Sequence, residues 1–135
     1  MRLVLVIPIA LGALALGAAA SASRPATRSE LYAMQRAGFE TGPGSFLEWA
    51  RISTRDGRYG IVYAKRCQNP AFCGSHIRPT YGFLVHRPTT NARARWVLLA
   101  QAQLHPPYQS EVTRLCRAAP KAVRADLLPV ICRSY

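Results

Sequence analysis

Titratable side chains other than Arg and Lys are few in this 135-residue chain, and this limits the chemistry that it can perform. There are six Asp and Glu residues and three His residues, namely Glu30, Glu40, Glu48, Asp56, Glu111, Asp126, His76, His86 and His105. The sequence contains no H-E-x-x-H motif, no G-x-S-x-G motif and no glycine-rich phosphate loop. The sequence therefore favours a non-enzymatic protein and predicts no catalytic residue and no cofactor.

A small extracellular ribonuclease is the sharpest enzymatic alternative. Such a reaction needs a general base, a general acid and cationic groups that stabilise the charge of the transition state. Glu48, His86 and neighbouring arginines on adjacent predicted strands are the residues of this chain with the right chemistry. This hypothesis requires Glu48 and His86 to meet in the folded protein.

Basic residues dominate the charge, with 18 Lys and Arg against six acidic residues and a formal net charge of +12. Arginines concentrate at two predicted hairpin tips, where Arg55 accompanies Arg58 and Arg93 accompanies Arg95. We expect these four residues to attract an anionic lipid surface, a wall polymer or another polyanion, whereas the alternative is a charge that serves solubility alone. Specific nucleic-acid readout is not expected, because the aromatic residues lie at predicted core positions.

The four cysteines, Cys67, Cys73, Cys116 and Cys132, predict two disulfide bonds in a small exported protein. Four cysteines allow three pairings, of which we favour the sequential one, Cys67 with Cys73 and Cys116 with Cys132. A metal site that adds His76 is the alternative. Neither cysteine pair has the short spacing of common zinc modules, so no metal is predicted.

A protease-inhibitor-like module is a third functional alternative. A disulfide between Cys67 and Cys73 would close the 67–73 loop, and a preorganised loop binds a partner with a smaller loss of entropy. Lys65 and Arg66 stand beside that loop and suit a trypsin-like specificity pocket.

The first 22 residues are typical of a secretory signal peptide. Arg2 supplies the positive charge, Leu3 to Leu16 is apolar, and Ala20-Ser21-Ala22 forms a cleavage motif that predicts a cut after Ala22. A retained membrane anchor is the alternative, since residues 3–22 are long enough to cross a bilayer. The rest, 23–135, is predicted to form a single small secreted domain, which excludes large multi-step enzymes, two-domain nucleotide-binding folds and multi-span membrane proteins.

Periodicity after residue 22 predicts an α+β fold. A helix over Ser29 to Gly38 precedes a four-stranded antiparallel meander, and short disulfide-bonded helices follow at the C-terminus. The predicted strands are Phe46 to Thr54, Tyr59 to Arg66, Tyr81 to Arg87 and Trp96 to Leu104. The predicted C-terminal helices begin near Ser110 and near Pro120.

Asp56-Gly57 is the clearest turn signal and predicts a two-residue hairpin loop of type I′. That loop places Ile52 opposite Ile61 and Glu48 opposite Lys65, so the register predicts an ion pair between Glu48 and Lys65.

Three segments resemble an uncharacterised family of small secreted proteins of high-GC bacteria. The segments are Ser53 to Gly60 with Asp56, Arg58 and Tyr59, the strand with Trp96-Val97, and a C-terminal stretch with Pro120, Val123, Asp126 and Leu127 between two cysteines. The family patterns are S-x-x-D-x-R-W-A, W-x-V and P-x-x-V-x-x-D-L. Tyr59-Gly60 departs from the usual W-A pair. The resemblance implies secretion but no activity and no catalytic residue.

Overall fold

The computed structural model of the chain describes residues 23–37, 45–66 and 80–135, with the backbone alone described at 45–48 and 66. Its elements in chain order are β1 (Arg24–Pro25), α1 (Arg28–Gln35), β2 (Ser45–Ile52), β3 (Tyr59–Arg66), β4 (Thr80–His86), β5 (Val97–His105), α2 (Gln109–Ala118) and α3 (Lys121–Leu127). The predicted α+β class is confirmed. The signal peptide prediction falls outside the described residues.

All five strands form one antiparallel sheet in the order β1-β2-β3-β4-β5, so the predicted meander is present with one strand added. The added strand β1 pairs Arg24 with Ile52 and Pro25 with Arg51 on the edge of β2. A strand of two residues carries no alternating pattern, which is why the sequence predicts no strand there.

Helices cover both faces of the sheet, and this explains why the middle of β3, residues 60–64, is buried. Ile61 and Leu84 face α2 and α3 and share a core with Leu115 and Val123. The opposite face carries a second core with α1, formed by Met34, Ala50, Ile52, Val62, Val85 and Trp96. A Cβ atom at position 60 would collide with the Cε atom of Met34, so Gly60 allows α1 to lie close to β3.

Helix α1 begins earlier than predicted because Thr27, not Ser29, is its N-cap. Glu30 N donates to the Thr27 hydroxyl at 3.2 Å, and Thr27 N donates to the Glu30 carboxylate at 2.8 Å. This reciprocal pair is a capping box, a T-x-x-E pattern that is visible in the sequence. Arg24 adds two further bonds to the same carboxylate, at 2.7 and 2.8 Å.

The β2–β3 hairpin is present, but the predicted type I′ turn and register are wrong. Ser53 N donates to Tyr59 O, which leaves five residues, 54–58, in the loop, and Ile52 lies opposite Gly60. Asp56 is not in the left-handed region that a type I′ turn requires, since Ser23 is the non-glycine residue with positive φ among those described.

A β-bulge lies at residue 48, between the pairs Leu47 with Ala64 and Trp49 with Tyr63. Lys65 therefore lies opposite Phe46, and the register that predicted a Glu48–Lys65 ion pair does not form. The longer loop that shifts this register is bound by the buried carboxylate of Asp126, a tertiary contact that no local turn signal reveals.

The C-terminal helices are confirmed, and a disulfide bond joins Cys116 to Cys132 as predicted, with a Cα–Cα distance of 5.6 Å. Helix α2 begins at Gln109, one residue before the predicted cap Ser110, and α3 begins after Pro120. The predicted Cys67–Cys73 bond lies outside the described residues.

Replacing both Cys116 and Cys132 by alanine is expected to lower the free energy of unfolding by about 3 kcal/mol, because the bond closes a 15-residue loop in the unfolded chain. Urea unfolding followed by circular dichroism measures the loss. Val130→Ala, an exposed position inside the same loop, is the control and should change stability by less than about 0.5 kcal/mol. Equal stability of the double variant and the native chain would contradict the expectation.

Glu30→Gln is expected to cost about 1 kcal/mol at pH 7, because it weakens the capping box and removes a surface ion pair. The Arg24 guanidinium lowers the pKa of Glu30 to about 2 from its ordinary value of 4.5. A lowered pKa gives stability that is present above pH 4.5 and is lost as the pH falls toward 2. The difference in the free energy of unfolding between the native chain and Glu30→Gln should therefore decrease as the pH falls from 4.5 toward 2. The variant Ser29→Ala in the same turn should show no such pH dependence.

Candidate anion-binding cleft

A cleft of about 530 Å³ opens between the end of α1 and the loop that joins β4 to β5. Its lining combines three arginines, Arg36, Arg93 and Arg95, with Trp96 and three small alanines. All three arginines are exposed. The cleft therefore presents guanidinium groups from two separate segments of the chain to one concave surface.

Arg87 fixes the base of the β4–β5 loop. Its Nε and Nη2 atoms donate to the carbonyl oxygen of Gly57 at 3.1 and 3.0 Å, and Nη1 donates to the carbonyl oxygen of Asn91 at 3.4 Å. The backbone N of Arg87 donates to Arg58 O at 2.9 Å. This one side chain thus ties the β4–β5 loop to the β2–β3 loop.

The Arg87 guanidinium also lies over the Trp96 ring, 4.5 Å from the ring centroid. Both residues are buried, with 4% and 2% of their surfaces exposed. Burial lowers the pKa of Arg87 from its ordinary value. No salt bridge joins Arg87 to a carboxylate in the part of the chain that the structure describes. A cation–π contact of this kind is strongest when it is shielded from water, so it stabilises the base of the cleft.

The turn at Asn91 presents Arg93 and Arg95. The Asn91 side chain accepts a hydrogen bond from Arg93 N at 2.9 Å, and Asn91 O accepts one from Ala94 N at 2.9 Å. Asparagine commonly organises turns in this way, by binding the backbone two residues further on. These bonds shape the loop, and among the described residues no ion pair engages the side chains of Arg93 and Arg95.

Every carboxylate whose side chain is described already has a partner elsewhere. Glu30 binds Arg24 and Asp56 binds Arg58. Glu111 accepts a bond from Gln103 N at 2.7 Å, and Asp126 is buried among hydrogen-bond donors. No described carboxylate is left to neutralise the arginines of the cleft, so their positive potential is directed at solvent.

The four candidate arginines of the sequence prediction separate into two groups. Arg93 and Arg95 line the cleft. Arg58 instead pairs with Asp56 at 2.9 Å, which raises its pKa from the ordinary value, and Arg55 is exposed on the β2–β3 loop. Arg36 was not predicted, because only the packing of α1 brings it to a loop more than 50 residues away in sequence.

A second basic cleft, of about 320 Å³, lies at the C-terminus. Lys121, Arg124 and Arg133 line it together with Cys132 and Tyr135. The buried Nε atom of Arg124 has no hydrogen-bond partner among the described residues, and its Nη1 atom donates to Cys116 O at 3.3 Å. This cleft is smaller and has no counterpart to the Arg87–Trp96 support.

The residues of the ribonuclease hypothesis are not brought together. His86 lies opposite Tyr59, with the two rings 4.6 Å apart, whereas residue 48 lies beside the pair Leu47 and Ala64. Tyr59 and Ala64 are five positions apart on β3, roughly 16 Å at the usual rise of a strand. The backbone thus places Glu48 and His86 toward opposite ends of the sheet.

The inhibitor loop 67–73 and the metal alternative with His76 lie outside the described residues. Among those that are described, no group of three or more His, Cys, Asp or Glu side chains is placed to hold a metal ion. In the same ranges, no helix combines the length and the apolar character that crossing a bilayer requires.

Comparison with protein-family models, curated proteins and solved structures finds no match to this chain. The resemblance to secreted proteins of high-GC bacteria therefore stays a prediction, and function has to be argued from the site itself.

Arg87→Lys is expected to lower the free energy of unfolding by about 2 kcal/mol, because a lysine cannot reproduce the forked bonds to Gly57 O and Asn91 O. The change should also alter the fluorescence of Trp96, measured in a Trp49→Phe background. Arg95→Lys, an exposed residue of the same loop, is the control and should shift stability by less than about 0.5 kcal/mol. Native-like stability of Arg87→Lys would show that the bonds from the Arg87 guanidinium to Gly57 O and Asn91 O contribute little to the free energy of unfolding.

Proposed function

We propose that this protein is a secreted, non-enzymatic module that binds an anionic polymer through Arg36, Arg93 and Arg95. The observation that carries the proposal is the convergence of these three arginines on one cleft without a described carboxylate to balance them. A general solubility charge requires no such convergence, since scattered charges serve solubility equally well.

The shape and chemistry of the cleft favour a polymer over a flat lipid surface. A guanidinium group binds phosphate, sulfate or carboxylate through two parallel hydrogen bonds, and a concave site lets several groups bind successive anions of one strand. Trp96 is almost fully buried and offers no ring face for a base to stack on. We therefore expect recognition of charge and spacing without nucleotide sequence readout.

Export is part of the same proposal. The Cys116–Cys132 disulfide is typical of proteins that mature in an oxidising compartment, where such bonds persist. The leader-like sequence of the first 22 residues gives independent support. Acidic wall polymers and extracellular polyanions are the ligands of this class that a protein would meet there.

Binding to fluorescent heparin oligosaccharides at low salt tests the site. The triple variant Arg36→Gln/Arg93→Gln/Arg95→Gln should lose about tenfold or more in affinity, and the slope of log affinity against log salt should fall by about 2, because three ionic contacts are removed. The matched control is Arg28→Gln/Arg114→Gln/Arg117→Gln, which removes the same charge at exposed positions of α1 and α2.

The control triple should weaken binding less than about threefold, by the long-range field alone. Equal losses in the two triples would mean that net charge acts without a site. Binding to phosphatidylglycerol vesicles but not to heparin would mean that the ligand is a lipid surface and not a polymer. Binding to neither would contradict the proposal.

A further inference from the structure

Ser23, the first residue that the structure describes, is buried and bound through three of its atoms. Its backbone N donates to the carboxylate of Asp126. Its hydroxyl accepts a bond from Arg51 Nε and its carbonyl oxygen accepts one from Arg51 Nη2, both at 2.6 Å. Only 5% of the residue is exposed. Its nitrogen, its hydroxyl and its carbonyl oxygen thus all have partners that lie far away in sequence.

Asp126 lacks a cationic partner in the described part of the chain. Its Oδ2 atom accepts bonds from Ser53 Oγ at 2.5 Å, Thr54 N at 2.8 Å and Arg55 N at 3.2 Å, while Oδ1 accepts from Ser23 N. These donors are neutral, and no salt bridge to Asp126 is found among the described side chains. Asp126 as a whole is 2% exposed. A buried charge is normally matched by an opposite charge, because burial without one is costly.

The backbone torsion of Ser23 is a second observation that concerns its backbone nitrogen. Its φ angle is 42°, in the left-handed region that disfavours a residue with a Cβ atom. The φ angle is the torsion about the N–Cα bond of Ser23, and its first bond joins the Ser23 nitrogen to the preceding carbonyl carbon. Hydrolysis of that bond removes the torsion and with it the steric conflict, while the contacts of Arg51 remain.

The predicted leader cleavage falls at this bond, since Ala20-Ser21-Ala22 directly precedes Ser23. A protease of the signal peptidase class would hydrolyse the Ala22–Ser23 peptide. The C–N bond breaks, the oxygen of water completes the Ala22 carboxylate, and the two protons of water move to the Ser23 nitrogen. The amide N–H thereby becomes an ammonium group with three protons and a positive charge.

We infer that Ser23 is the mature N-terminus and that its α-ammonium group forms a buried ion pair with Asp126. The inference rests on the export part of the proposed function. Arg51 binds both oxygens of Ser23 and leaves the nitrogen to Asp126, so the two cationic groups have separate partners. Cleavage between residues 22 and 23 then completes the network that organises the β2–β3 loop, and a terminus one residue longer or shorter does not supply the charge at this position.

The test uses the full chain, expressed with its own leader in a secreting bacterium, purified and characterised by mass spectrometry. The native product should begin at Ser23. Reductive methylation with formaldehyde and a borohydride then compares its α-amine with the exposed amine of Lys121. A free α-amine has the lower pKa and reacts faster near neutral pH. In the folded protein we expect the reverse order, with Ser23 at least about tenfold slower, and the usual order should return in urea.

A one-residue insertion separates an ion pair from ordinary packing. An alanine inserted between Ala22 and Ser23 moves the ammonium group by about 3.8 Å along the chain and turns the Ser23 nitrogen into an amide. The ratio of folded to unfolded protein should fall by about tenfold or more. In an Asp126→Asn background the same insertion should have no further effect, because the partner charge is already absent. Ser23→Ala is the matched control, which keeps the ammonium group and should keep its slow methylation.

Each contrary outcome identifies which statement fails. An intact Met1 end would overturn both export and the ion pair. Cleavage at another residue, or a folded α-amine that reacts faster than Lys121, would overturn the ion pair and leave export standing. An insertion that lowers stability equally in the native chain and in the Asp126→Asn background would also overturn the ion pair and leave export standing. If Asp126→Asn does not fold, methylation of the native product decides alone. Heparin affinity, measured on the same samples, reports on the cleft independently.

Discussion

The buried carboxylate of Asp126 joins three parts of the chain that are far apart in sequence, namely α3, the β2–β3 loop and Ser23. It lies on α3 and binds the start of the β2–β3 loop through the Ser53 hydroxyl and the backbone N–H groups of Thr54 and Arg55. The Ser53 hydroxyl in turn accepts bonds from Arg55 N and Asp56 N. The donors at the start of this five-residue loop are thus satisfied by one carboxylate and one hydroxyl. A loop of this length, with polar groups next to the core, requires such partners to keep a single conformation.

The geometry of the candidate cleft depends on this loop, although Asp126 is not part of the cleft. The loop places the carbonyl oxygen of Gly57, which accepts two bonds from the Arg87 guanidinium. Arg87 then fixes Trp96 and the turn at Asn91, and that turn carries Arg93 and Arg95. A continuous series of hydrogen bonds and one cation–π contact therefore extends from α3 to the arginines. Arg36 lies at the same cleft because α1 packs on the sheet, and it does not depend on this series of contacts.

Charge is distributed so that the described acidic side chains serve the fold and an excess of basic ones faces solvent. Glu30 caps α1, Asp56 binds its neighbour in the loop, and Glu111 binds the backbone of β5. Each of these contacts places a negative charge where it satisfies a nearby donor. A protein with this pattern has a positive field outside, which attracts anions over long range.

Local sequence patterns determined the α+β class, the four long strands, the C-terminal helices and the Cys116–Cys132 bond, because periodicity and prolines act over short distances and these two cysteines are only 16 positions apart. The T-x-x-E pattern at Thr27 was equally visible and would have placed the start of α1 correctly. Tertiary structure alone decided the hairpin register, since Asp126 stabilises a loop longer than the Asp56-Gly57 turn predicted, and a shift of one residue exchanges the faces of a strand. Tertiary structure also decided which arginines line the same cleft. Arg36 and Arg93 are joined by packing between α1 and a loop, and contacts between such distant segments leave no signal in the spacing of residues along the chain.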